Sequence, residues 1–139
     1  MYETILLPVD GSEPAHRATE HALMLADAFD ATVHPMYVVD TSRYGSPAIS
    51  STELVVDQLE SQGSALLDSI ADQAERRNIH TESYLCRGKP SAEIIAYADS
   101  IDADVTVLGF QGQSHRISNH IGSVAERVVR RANRPVLTV

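Results

Sequence analysis

The apolar residues of this chain form short continuous runs. These runs alternate with stretches in which apolar residues recur every three or four positions. Ile5-Leu6-Leu7 is a continuous run, which is typical of a parallel strand buried on both faces. The stretch after it is periodic, with Ala22, Leu25 and Phe29 on one helical face. The same alternation predicts strands at residues 3–9, 32–39, 81–86, 105–108 and 135–139, with helices between them that include 52–77 and 124–132.

This alternation of strands and helices predicts the α/β fold class: a five-stranded parallel sheet with helices on both faces and right-handed crossovers. We predict the strand order 3-2-1-4-5, in which the first and fourth strands lie side by side. Ligands of open α/β sheets bind outside the carboxyl ends of the strands at this switch point. Pro35 is unusual for a central strand, because it removes a ladder hydrogen bond, and we expect it at the strand's entry or at a bulge.

The connection between the fourth strand and the last helix carries a glycine motif. Gly109 and Gly112 follow the strand, and Gly122-Ser123 opens the helix nine residues later. Glycine lets the backbone turn and approach a ligand closely, and the free N–H groups of a helix start bind anions. The alternative is that these glycines only close a βα connection. Their number and spacing favour phosphate binding, although the motif lacks the Gly-Lys-Ser/Thr ending of a P-loop.

Gly109-x2-Gly112-x9-Gly122-Ser123 resembles the nucleotide-binding signature of the ATP-binding branch of the universal stress protein family. Residues 2–12, Gly88-Lys-Pro90 and residues 134–139 are similar to other segments of that family, in the same order. The resemblance covers residues 1–139 as a single domain. It implies a Rossmann-like fold of the adenine nucleotide α-hydrolase type.

The resemblance also implies a ligand, ATP, which normally brings Mg²⁺. The backbone of Val38 would then meet the adenine edge, and Asp10 would meet the nucleoside or, indirectly, the metal. The amides of Gly112, Ser123 and Val124, together with the Ser123 hydroxyl, are the expected phosphate donors. The complete predicted site lies at or beside the carboxyl ends of strands: Pro8, Val9, Asp10, Ser12, Val38, Gly88, Gly109, Gly112, Arg116, Gly122, Ser123 and Val124.

Several of these residues have a simpler alternative that the sequence leaves open. Asp10 can instead stabilise its own turn, and Val38 alone is an ordinary core residue. Gly88 fits a turn glycine better than a ligand contact, and Arg116 is as readily an exposed arginine as a partner of a terminal phosphate. Ser12 is also a plausible N-cap of the first helix.

Composition narrows the classes of function. The net charge of −8 argues against a general nucleic-acid binder, and ten arginines with one lysine suggest a hydrated acidic surface. Cys86 is the only cysteine, so an internal disulfide is impossible, and the six histidines do not have the spacing of a metal site. There is no bilayer-spanning apolar run and no signal-peptide pattern, so we expect no membrane association and a cytoplasmic location.

The leading hypothesis is a nucleotide-dependent signalling or stress-response protein with little or no hydrolysis, since no dedicated base for an attacking water is evident. The alternatives are a slow ATPase and a dimeric scaffold that binds no nucleotide. The resemblance implies a homodimer through the last strand, residues 135–139, which would otherwise be an exposed sheet edge. The sequence does not identify a protein partner, and residues 40–51 fit either a lid or a linker.

Overall fold

The computed structural model describes residues 2–42, 50–111 and 121–139, with the backbone alone at residues 50–52. Strands and helices alternate along the chain. The strands are β1 (Thr4–Pro8), β2 (Thr32–Asp40), β3 (Tyr84–Gly88), β4 (Val105–Leu108) and β5 (Val136–Thr138). The helices are α1 (Glu13–Phe29), α2 (Ser50–Glu75), α3 (Pro90–Ser100) and α4 (Ser123–Arg131).

The five strands form one parallel sheet in the order β3-β2-β1-β4-β5, which confirms the predicted topology. β1 lies between β2 and β4, with Ile5 opposite both Val33 and Val105. β3 and β5 are the two edges of the sheet. The third strand starts at Tyr84, three residues later than predicted, and only an isolated bridge to Val33 marks Thr81.

The sheet separates two layers of core side chains, because alternate residues of each strand point to opposite faces. On one side Ile5 and Leu7 pack with α1 and α2, whose Ala22 and Ile70 are almost completely buried. On the other side Leu6 packs with residues of α3 and α4. The continuous apolar run of β1 is therefore explained by burial on both faces.

Pro35 lies inside β2, opposite Leu7 of β1, and is completely buried. Odd residues of β2 direct their backbone groups toward β3, as the bond from Val33 N–H to the His80 carbonyl shows. The N–H that Pro35 lacks would meet residues 82–83, which lie between the Thr81 bridge and the start of β3. The proline is tolerated because the ladder is already interrupted beside it.

Two helix features have local causes. Ser12 is the N-cap of α1, as predicted, and its Oγ accepts the N–H of Ala15 at 3.2 Å. Gly63 lies in the middle of α2, where glycine weakens a helix. A Cβ at this position would lie 2.4 Å from Cδ1 of Tyr37, so the glycine makes room for that ring. Within the described ranges, no helix has the length and apolarity needed to cross a bilayer.

Candidate functional site

The turn between β1 and α1 places a carboxylate at the carboxyl edge of the sheet. Pro8 ends β1, and the N–H of Val9 still donates to the Met36 carbonyl of β2 at 2.9 Å. The chain then turns at Gly11, whose φ of 81° is in the left-handed region. Asp10 Oδ1 accepts the N–H of Ser12 at 3.0 Å, which fixes the carboxylate in this turn. The backbone N–H groups of Val9 and Ser12 therefore stabilise this turn, independently of any contact with a ligand.

The end of β4 lies against this same turn. A Cβ on Gly109 would lie 2.7 Å from the carbonyl carbon of Pro14 and 2.8 Å from the nitrogen of Ala15. Gly109 thus lets the backbone after β4 touch the backbone of the first turn of α1. The two predicted motifs, one after β1 and one after β4, therefore lie side by side at the carboxyl edge of the sheet.

The start of α4 is held close to β4 and carries backbone donors. The N–H of Gly122 donates to the Phe110 carbonyl at 2.9 Å, and the Gly122 carbonyl accepts from Glu126 as the N-cap of the helix. Ser123 and Val124 are the first two residues of the helix. No side chain of the described residues caps them, so their N–H groups and the positive end of the helix dipole suit an anion.

Val38 presents backbone groups beyond the end of β1. Even residues of β2 direct their backbone groups toward β1, because the Met36 carbonyl accepts from Val9, whereas the N–H of the odd residue Thr41 donates to the carbonyl of Gly88, the last residue of β3. β1 ends opposite Met36, so no strand of the described residues lies beside Val38 on that side. No backbone group among the described residues bonds to the N–H or carbonyl of Val38 there. Its side chain packs in the core layer beside α3, so the valine has a core role as well.

Gly88 is the last residue of β3 and leads into the turn before α3. Its φ is 150°, and a Cβ would lie 2.6 Å from Oε1 of Glu93 on α3, so other residues would be strained there. Its carbonyl accepts the N–H of Thr41 at 3.2 Å. These contacts favour the turn-glycine interpretation.

Burial, and secondarily the Glu93 carboxylate, raises the pKa of the Cys86 thiol, which agrees with an unreactive cysteine.

Two predicted phosphate contacts, Gly112 and Arg116, lie outside the described residues, as does most of the 40–51 connection. Among the described residues, no group of three or more histidine, cysteine or acidic side chains is arranged to hold a metal ion. A divalent cation at this edge would therefore need ligands from phosphate and water, with Asp10 as the candidate carboxylate.

The structure adds three contributors that the sequence analysis missed: Pro14, Phe110 and Glu93. Pro14 packs closely against Gly109, and the Phe110 carbonyl accepts from Gly122 at the start of α4; backbone contacts of this kind leave no signal in residue type. Glu93, beside the turn glycine, was detectable in principle from its place in the first turn of α3 after Gly88-Lys-Pro90. The carboxyl edge of the sheet thus carries the open backbone of Val38, the Asp10 turn and the amides at the start of α4.

Comparison with known proteins places this geometry in a family. The model of the universal stress protein family matches residues 1–139. A universal stress protein of Methanocaldococcus jannaschii is 37% identical over 140 residues, which cover 100% of this chain and 82% of the relative. A solved structure of a universal stress protein from Lactobacillus plantarum superposes with a TM-score of 0.93 at 26% identity, over 99% of this chain and 97% of the other. The universal stress protein from Archaeoglobus fulgidus in complex with dAMP has a TM-score of 0.70 at 22% identity and 99% and 97% coverage, a likeness in fold.

Proposed function

The chain belongs to the universal stress protein family, and we propose that it binds an adenine nucleotide, ATP, in the crevice between the ends of β1 and β4. Binding would serve a nucleotide-dependent signalling or stress-response role. The observation that carries the proposal is the open N–H and carbonyl of Val38 beside the end of β1. A donor and an acceptor side by side complement the Watson–Crick edge of adenine, which offers a ring-nitrogen acceptor and an amino donor.

The phosphates are assigned to the other side of the crevice, at the start of α4. Ser123 is exposed and Val124 is half-buried, and no side chain of the described residues caps their N–H groups. β2, which carries Val38, and β4, which leads to the helix start, are separated by two strand spacings, or about 10 Å. That distance suits a nucleoside that lies across the end of β1, with its phosphates at the helix start. The dAMP held by the A. fulgidus relative supports the choice of an adenine nucleotide.

Mg²⁺ is proposed to accompany the nucleotide, where it would neutralise part of the phosphate charge. Asp10 lies between the two proposed ends of the ligand, and its Oδ1 already accepts the N–H of Ser12. We therefore assign Asp10 to the nucleoside or to water around the metal. Gly112 and Arg116 complete the proposed phosphate contacts on sequence grounds.

We propose little or no hydrolysis, because Asp10 is tied into its own turn by Ser12 rather than dedicated to an attacking water. The slow-ATPase alternative would require this carboxylate as the base. Steady phosphate release that is abolished by Asp10→Ala, with ATP affinity retained, would favour the ATPase.

A matched pair of variants at Ser123 tests the phosphate site. Ser123→Pro removes the first amide of α4, and proline is well tolerated at the first helical position. Gly122 has φ −68° and ψ 157°, a conformation that a residue before proline readily adopts. Ser123→Ala is the reference for this comparison, because it lacks the hydroxyl, itself a predicted phosphate donor, but keeps the amide that Ser123→Pro removes. The helix should therefore form in both variants.

Isothermal titration calorimetry with ATP, AMP and GTP gives the result. We expect ATP to bind the wild-type chain more tightly than GTP, because the bases differ at the edge that Val38 would read. Loss of one hydrogen bond to a charged group costs about 1.5–3 kcal/mol, so Ser123→Pro should weaken ATP binding roughly 10- to 150-fold. No heat with any nucleotide would favour the scaffold alternative.

A homodimer through the strand at residues 135–139 is the second part of the proposal. β5 is a sheet edge, and its residues are only half-buried. Odd residues face β4, as the bonds of the Pro135 carbonyl and the Val139 N–H show, so Thr138 faces outward. Thr138→Pro should convert a dimer to a monomer without breaking the ladder to β4, because proline is tolerated where its missing N–H faces away from the sheet. Light scattering that finds the wild-type chain monomeric at micromolar concentration would contradict this proposal.

A further inference from the structure

His34 is a buried histidine that the proposed nucleotide site does not use. It lies on β2 opposite Leu6 of β1, and only 10% of its side chain is exposed. Its ring lies edge-on to Tyr97 of α3, with 6.5 Å between the ring centroids. Its Nδ1 is buried and has no hydrogen-bond partner among the described residues.

The charges around the imidazole do not compensate a positive charge well. Its Nε2 lies 3.9 Å from Oε2 of Glu82, beyond hydrogen-bond distance, and the Glu82 side chain is 62% exposed. His80 approaches the same oxygen at 4.0 Å, so a second histidine competes for that carboxylate. Tyr97 and Tyr84 complete the surroundings, and burial, then Tyr84 and Glu82, raise the pKa of Tyr97, which keeps it neutral.

Protonation would create an unsatisfied donor in this position. The nearby carboxylate favours the neutral tautomer with its proton on Nε2, so an added proton must go to Nδ1. The new N–H would be buried without an acceptor, and it would carry part of a positive charge. Burial lowers the pKa of His34, Glu82 opposes that effect, and His80 adds to it.

The backbone beside His34 lacks one hydrogen bond of the ladder between β2 and the residues that precede β3. In a regular parallel ladder, a residue 35 N–H would donate to the Glu82 carbonyl, and Pro35 has none. The N–H of Glu82 still donates to the Val33 carbonyl at 3.0 Å. Just beyond the interruption, Tyr84 stacks on Tyr97 with centroids 4.1 Å apart, which closes the sheet edge over α3.

We propose that His34 makes the β2–β3 edge sensitive to acid: protonation of its buried imidazole opens the sheet at Glu82 and separates the Tyr84–Tyr97 ring pair. The opening lets water or a rearranged carboxylate reach the imidazolium. It starts at the interrupted ladder because few backbone bonds need to break there. This property does not depend on nucleotide binding.

Nuclear magnetic resonance on the full wild-type chain tests the proposal directly. The ring protons of the six histidines are followed between about pH 8 and about pH 5, the range in which histidine titrates. The His34 signal is identified by its absence in His34→Phe. We expect its midpoint below the ordinary value of 6.5, lower still in Glu82→Gln, with the Tyr84 and Tyr97 ring signals changing at the same pH. A midpoint at or above 6.5, or tyrosine signals that ignore the His34 titration, would overturn the proposal.

Urea unfolding supplies a second readout. His34→Phe keeps an aromatic ring against Tyr97 but cannot titrate, and His16→Asn is the control at a histidine of α1 whose side chain is 55% exposed. Below pH 6.5 the wild-type unfolding constant should rise, relative to His34→Phe, by at most about tenfold per pH unit. His16→Asn should keep this rise. Parallel pH profiles for wild type and His34→Phe would contradict the mechanism, and the resonance experiment on the wild-type chain stands even if His34→Phe does not fold.

Discussion

Replacement of Gly109 by alanine should destabilise the chain and weaken the proposed site, because this glycine joins the two turns that border it. The added Cβ would lie 2.7 Å from the carbonyl carbon of Pro14 and 2.8 Å from the nitrogen of Ala15. Both are backbone atoms, so no side chain can rotate away, and the end of β4 and the start of α1 must separate. The φ of Gly109 is not in the left-handed region, so the cost is steric.

The size of the effect follows from two opposing contributions. Overpacking a tight contact costs about 1–3 kcal/mol, and loss of the glycine's freedom in the unfolded chain returns about 0.4–1 kcal/mol. Taking the middle of each range, the net loss is about 1.3 kcal/mol. With an unfolding entropy of about 2.1 cal/mol/K per residue over 139 residues, the melting temperature should fall by about 4–5 °C.

Thermal unfolding followed by circular dichroism measures this change. Pro14→Ala combined with Gly109→Ala is the matched control: it removes Cγ and Cδ of the Pro14 ring but leaves the three closest atoms in place, which are the two backbone atoms and Pro14 Cβ. We expect this double variant to recover little of the lost stability. A Gly109→Ala chain as stable as wild type, or a full recovery in the double variant, would refute the argument that backbone contact joins the two turns.

Two further predictions concern the fold. Gly63→Ala should lower stability by about 1–2 kcal/mol, because the added methyl group would contact the Tyr37 ring. This loss arises although alanine favours a helix by about 1 kcal/mol. In a Tyr37→Val background, the same substitution should become stabilising in urea unfolding. Asp104→Asn should cost about 1 kcal/mol at neutral pH, because Asp104 Oδ2 accepts the N–H groups of Thr4 and Glu3. Those bonds, Thr4 first, lower the pKa of Asp104 below 3.8, so its contribution is present above that value and is lost as the pH falls through the folded-state pKa. The difference from wild type should vanish in acid, and a difference that persists there would contradict this origin.

The sequence was sufficient for the topology, because hydrophobic pattern and strand order are linked by general rules. Continuous apolar runs such as Ile5-Leu6-Leu7 and the handedness of crossovers leave few arrangements, and the predicted 3-2-1-4-5 order is confirmed. The N-cap at Ser12 was also predictable, since a serine before Pro14 and a periodic alanine face is a local signal. The place of Pro35 in its strand was the hardest feature to predict. It depends on residues 82–83, which lie far from Pro35 in the sequence.

The site was less predictable, because much of it consists of backbone. The openness of Val38 depends on where β1 stops, on which residues of β2 face β1, and on the absence of a strand beside it. Pro8 signalled the end of β1. Whether the odd or the even residues of β2 direct their backbone groups toward β1 could be read only from the hydrogen bonds in the structure. The close approach of Gly109 to Pro14 depends on packing between elements far apart in the chain, for which a glycine is a necessary but unspecific signal.

Calorimetric titration of ATP into wild type, Ser123→Ala and Ser123→Pro tests the central claim most directly, since the two variants differ in the backbone amide at the start of α4. We predict that Ser123→Pro binds ATP roughly 10- to 150-fold more weakly than Ser123→Ala, with both variants folded by circular dichroism. Equal ATP affinities for the two variants, or no ATP binding by the wild-type chain, would contradict the proposed phosphate site.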